Sequence, residues 1–164
     1  ELPKMLSRIA AALTVVLLVS ACAEPVKPIQ AWSPSAAAAA SIGVVTIANR
    51  SPNASEEDIQ ALRTALEQKI AQCARGPIKY DMQVRLDNFK LANTGMAMLL
   101  ADNHEVAAEV KLVNPENNTV AAEYYVQERT HGSGLIGLAK LSGGARAISG
   151  DFADSVCSKV FLKK

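Results

Sequence analysis

The chain has 164 residues, 20% of them charged, and a formal net charge of +1 with both signs interspersed. That length allows one modest core plus a leader and a tether, and the lack of a basic stripe argues against nucleic acid as a partner. Aromatic residues make up only 4%, too few for the stacking platforms that single strands and sugars use.

Lys4 and Arg8 flank Met5 and precede an apolar run from Ile9 to Val19, interrupted only by Thr14. A helix needs ~20 apolar residues to span a bilayer, so this shorter run matches the apolar region of an export signal, and residues 1–21 are read as a signal peptide. Val19, Ser20, Ala21 and Cys22 resemble the lipobox of bacterial lipoproteins, an aliphatic residue and two small ones before a cysteine. The resemblance implies a diacylglyceryl group on the Cys22 thiol, cleavage before Cys22, and acylation of the freed amine. At about 0.8 kcal/mol per buried methylene, two or more chains anchor stably. Ala23 replaces the aspartate that retains such proteins in the inner membrane of enteric-type bacteria, so the resemblance favours the periplasmic side of the outer membrane. The alternative is an ordinary cleaved signal with a chance cysteine.

Residues 22–40 carry Pro25, Pro28 and Pro34, followed by an alanine run. Prolines fix φ and remove donors, so the stretch reads as an extended linker. At ~3.1 Å per residue it would set the domain tens of ångströms from the membrane. Trp32 either rests at the lipid interface or folds back on the domain.

Residues 41–164 read as a single α+β domain. Ile42 to Ala48 is β-branched and bounded by Asn49, Ser51 and Pro52, which predicts a buried strand. Ser55 and Asp58 form a capping-box-like start to a helix whose apolar stripe is Ile59, Leu62, Leu66, Ile70 and Cys73, ended by Gly76 and Pro77. Ile78, Tyr80, Met82, Val84 and Leu86 alternate with polar residues until the phase slips at Asn88 and resumes at Phe89 and Leu91, which predicts a β-bulge. Val106 to Leu112 and Val120 to Val126 form a hairpin around Asn114 to Asn118. A final helix spans about Ala145 to Leu162, with Ile148, Phe152, Val156 and Val160 at successive turns. The order β-α-β-β-β-α predicts a four-stranded, mainly antiparallel sheet with two helices on one face.

An exported domain meets an oxidising compartment. The helix crossover and two hairpin reversals make both helices run the same way, which puts Cys73 and Cys157 near one end of the domain. They form a structural disulfide, two buried thiols, or a reactive or metal-binding pair. The chain's 2 histidines, His104 and His131, lack metal-site spacing, and Asp102, His104 and Glu105 read better as solvated residues around a turn than as cation ligands. His131 to Gly134 lacks the nucleophile-elbow spacing. Asp151 and Asp154 share a helical side, the pattern of a wet face rather than an acid–base pair. No metal, cofactor or catalytic residue is assigned, and the chain is read as a non-enzyme.

Two segments stand apart. Leu91 to Asp102 holds Met96, Met98 and Leu99, and the glycine-rich 131–144 holds Leu135, Ile136 and Leu138. Apolar residues in long connections mark partner contacts or pack over the sheet, and methionine suits adaptable contacts. The strand around Val84 to Asn88, the hairpin ending Glu123 to Val126 and the segment Gly132 to Gly144 resemble an uncharacterised group of bacterial envelope lipoproteins, and the architecture is similar to lipoproteins that assist larger envelope machines. The resemblance implies a membrane-anchored binding or assembly module for another envelope protein. The alternative is a periplasmic binder of a small apolar or lipidic ligand, lodged between the sheet and Leu91 to Leu100.

Overall fold

The computed structural model describes residues 24–93, 102–130 and 143–162. In chain order these form β1 (Val26–Gln30), α1 (Pro34–Ala39), β2 (Ala40–Asn49), α2 (Glu56–Cys73), β3 (Ile78–Lys90), β4 (His104–Val113), β5 (Val120–Thr130) and α3 (Gly144–Ser155). A π-helical turn, Val156–Val160, continues α3. The strands make one five-stranded sheet in the order β1-β5-β4-β3-β2. β2 and β3 pair in parallel, and the remaining pairs are antiparallel.

The α+β class and the β-α-β-β-β-α core agree with the sequence reading, but the sheet has five strands rather than four. The fifth comes from residues assigned to the linker. Val26–Gln30 pairs with β5, and Pro34–Ala39 is a short helix capped by Ser33. Pro28 is compatible with this because an edge strand leaves one row of backbone groups without a ladder partner. β2 also differs from expectation, lying at the other edge instead of being buried, with Val44 54% exposed. Its pairing with β3 slips between Ile42 and Val45. Arg63 of α2 covers that edge by donating from Nη1 to the Val45 carbonyl at 2.7 Å.

α2 and α3 pack on each other and cover one face of the sheet. Between them and the sheet lie Leu62 and Leu66, Met82, Val84 and Leu86, Val110 and Leu112, and Phe152, Val156 and Val160, all essentially inaccessible. The capping box forms as read, with Ser55 Oγ accepting from Asp58 N–H at 3.2 Å and the Asp58 carboxylate accepting from Ser55 N–H at 2.9 Å. The expected bulge falls between Leu86 and Asn88 and returns Phe89 to the core. Just beyond it, buried Ser51 accepts from Phe89 N–H at 3.0 Å, tying the turn after β2 to the end of β3.

β1 and β2 lie at opposite edges yet are joined by residues 31–39, so this connection straps across one end of the sheet. Gly76 lets the strap sit close. A Cβ there would stand 2.0 Å from the Ala39 backbone, and the Gly76 N–H donates to the Ala40 carbonyl at 2.8 Å.

Candidate functional site

Both pair-forming cysteines lie at the strapped end. Cys73, at the last residue of α2, and Cys157, in the π-helical turn, are joined in a disulfide with a Cα–Cα distance of 5.8 Å. Two helices running the same way bring their C-terminal ends together, which is why the sequence could place this pair. A shallow polar groove of about 740 Å³ runs beside the bond, lined by Lys69, Gln72, Arg75, Asp154 and Ser158. Lys69 and Asp154 are paired across it at 2.6 Å.

Trp32 folds back on the domain. Its ring meets Tyr80 and Phe161 edge-on, with centroids 5.6 Å away in each case. Its indole N–H donates to the Val160 carbonyl at 2.7 Å, and its backbone N–H donates to the Tyr124 hydroxyl at 3.3 Å. The carbonyls of a last helical turn have no partner within the helix, so Trp32 supplies one for Val160. Burial raises the Tyr124 pKa, against the smaller opposing effect of the Trp32 hydrogen bond.

The face of the sheet opposite α2 and α3 is a charge ladder. Arg85 on β3 reaches Asp87 at 3.2 Å and Glu109 on β4 at 2.8 Å, while Lys111 lies 3.0 Å from Glu109 and 3.6 Å from Glu123 on β5. Glu105 accepts from Arg129 and Gln127 at 2.9 Å and from Asn88 at 3.2 Å. Burial pushes the Glu105 carboxyl up, but the bonds from Gln127, Arg129 and Asn88 together hold it below the ordinary glutamate value. The Asp87 hydrogen bond raises Arg85, and the Glu109 bond raises Lys111. Cross-strand pairs of this kind pin register and satisfy one another. They make the face polar, unlike an open apolar docking surface. Glu105, Glu109 and Glu123 alternate with apolar positions in the sequence, and that alternation is the signal for this ladder.

At the end opposite the strap, the three residues considered as a cation cluster point to different partners. Asp102 pairs with Lys90 and accepts from Asn93 N–H at 3.0 Å. His104 is buried toward the helices and accepts from Ala92 N–H at Nδ1, 2.9 Å away. Glu105 belongs to the opposite face. Among the described residues no group of three such side chains could hold a metal ion. Near this end Glu128 occupies a core-facing position of β5 under α3, where Ser155 Oγ donates to it. Burial raises its carboxyl pKa, the Ser155 bond opposes that, and Asp151 adds to the rise. The signal missed in the sequence is a glutamate standing in phase with the core-facing positions Tyr124 and Val126. Cys22 and the six residues read as partner-contacting, Met96, Met98, Leu99, Leu135, Ile136 and Leu138, lie outside the described residues.

The fold is therefore that of a small α+β domain with a mixed sheet covered on one face and strapped at one end. No family profile matches the chain, and no curated protein matches it. Solved structures do. PelC from Paraburkholderia phytofirmans, a dodecamer, is 14% identical with a TM-score of 0.50, over 85% of this chain and 99% of that one. A single-substitution variant of PelC, also a dodecamer, is 12% identical at 0.47 over 85% and 98%. A candidate lipoprotein from Caulobacter crescentus is 12% identical at 0.49, over 79% of this chain and 96% of that one. At these identities the likeness is one of fold.

Proposed function

We propose that the protein is an envelope lipoprotein, held by lipid on Cys22 at the periplasmic face of the outer membrane, and that its domain is a non-enzymatic module for binding or assembling another envelope component. The observation that carries the exported location is the Cys73–Cys157 bond, since disulfides persist in oxidising compartments. PelC, which shares the fold, assembles as a dodecamer, which makes assembly a natural use of this architecture. In the sequence, the segments with Met96, Met98 and Leu99 and with Leu135, Ile136 and Leu138 follow Lys90 and Thr130, and these two strand ends lie at the same end of the sheet.

Expression of the full precursor in a Gram-negative host tests this, comparing wild type with Cys22→Ala for lipid labelling, membrane fractionation and crosslinking in place. Labelling lost in the mutant and a specific crosslinked envelope protein are the expected results. An unlabelled, soluble wild type would overturn the anchor. It would leave a free periplasmic binder of a small apolar ligand as the better reading.

A further inference from the structure

We propose that the lipid surface is itself a partner of the domain: the end of the sheet where β1 begins and where β3 and β5 finish stands on the headgroups, and the strapped end points away. This rests on the reading of Cys22 as the lipidated residue. The physical basis is chain length.

β1 begins at Val26, and Pro25 is already fixed, its carbonyl accepting from Gln127 N–H at 2.7 Å. Only Ala23 to Pro25 lie between Cys22 and the sheet. Fully extended at ~3.6 Å per residue, the steps from Cys22 to Val26 reach at most about 14 Å. β5 runs antiparallel to β1 with Val126 opposite Val26, and it continues to Thr130 past the start of β1. At ~3.4 Å per residue that overhang is also about 14 Å, in the direction from which the anchor comes. The overhang therefore uses up the whole reach of the tether.

His104 of β4 pairs with Thr130, and Lys90 of β3 pairs with Glu105, so both neighbouring strands end at the same level. The headgroup layer is itself about 5–8 Å deep on each side. With its acyl chains in the hydrocarbon, Cys22 lies in or at that layer, and the ends of β3, β4 and β5 meet it. Leu91, 41% exposed just after β3, is an apolar side chain at this end. The Asn114 to Thr119 turn is at the far end, roughly 35 Å away along β5.

The test uses the full-length lipidated protein in vesicles of phosphatidylethanolamine and phosphatidylglycerol in equal parts. A fluorophore is placed on Leu91→Cys or on Asn117→Cys, with headgroup spin-labelled lipid as quencher. The expected result is loss of emission from the Leu91 position and none from Asn117. Trp32, the chain's only tryptophan, should also keep its emission. A flexible insertion of about ten glycine and serine residues between Ala23 and Glu24, adding a root-mean-square reach of roughly 17 Å, should abolish the difference. Asn53→Cys, in the exposed turn after β2, repeats the measurement if the Leu91 variant fails to fold. Equal quenching at both ends, or none at the Leu91 and Asn53 positions, would overturn the orientation while mass analysis still finds lipid on Cys22. An unmodified Cys22 would instead remove the anchor, and this inference with it.

Discussion

The two ends of the sheet are held by different chemistry. The strapped end carries a disulfide, a tryptophan lodged among Tyr80, Phe161 and the last helical turn, and a glycine pressed against backbone. The opposite end is closed by polar contacts: the Ser55–Asp58 box, Ser51 on Phe89, His104 on Ala92, and Asp102 on Lys90 and Asn93. Covalent and aromatic closure fixes one end strongly. Among the described residues the opposite end relies on bonds worth about 1 kcal/mol each. The difference teaches that rigidity has been placed away from where contacts with membrane or partner would form.

The largest expected effect is at the disulfide. Cys73 and Cys157 are 84 residues apart, and opening a loop of that size should cost about 4 kcal/mol, read by urea denaturation of wild type and Cys157→Ala. Near-equal stability would break the contrast between the ends. Trp32→Ala should cost about 3 kcal/mol, and amide exchange should rise in β1 and the π-helical turn before β4. At the opposite end Ser55→Ala should cost only about 1 kcal/mol, with the loss confined to the start of α2.

Glu128 sharpens the comparison through pH. Its folded-state pKa is raised, so the native state holds its proton more tightly than the unfolded chain. The stability it contributes is full below the ordinary glutamate value and lost as pH rises through the raised one. Glu128→Gln should flatten that part of the melting temperature against pH; an unchanged profile would show that burial is not felt there. Smallest of all, Arg129→Ala on the open face should change stability by less than about 1 kcal/mol.

Much of this can be read from the chain because periodicity carries it. The stripe from Ile59 to Cys73, the phase slip at Asn88 and the asparagine-rich turn each follow from a local rule, and the placing of both cysteines at one end follows once the strand directions are counted. β1 and α1 are hidden for a physical reason. Only Val26 of β1 is buried, so no alternation is visible, and Pro28 argues for a linker unless the strand is known to lie at an edge. Val44 looks like core because β-branched composition does not distinguish a central strand from an edge. Trp32 has two sensible homes, and only the cleft between Tyr80, Phe161 and Val160 decides between them. Glu128 needs the register of β5 to be recognised as a half-buried carboxylate on the core side.

The way β1 lies on β5 has a mechanical consequence. Its first residue is the one nearest Cys22 in the chain, and it runs antiparallel to its neighbour from there. A tug on Cys22 along the strand axis therefore loads all the β1–β5 hydrogen bonds at once, in shear, and does not peel them one by one. Behind them stands the strap, braced by Trp32 and the close seat at Gly76. On the proposed anchoring at Cys22, the first strand is thus a lap joint, through which load on the lipid would pass into the sheet.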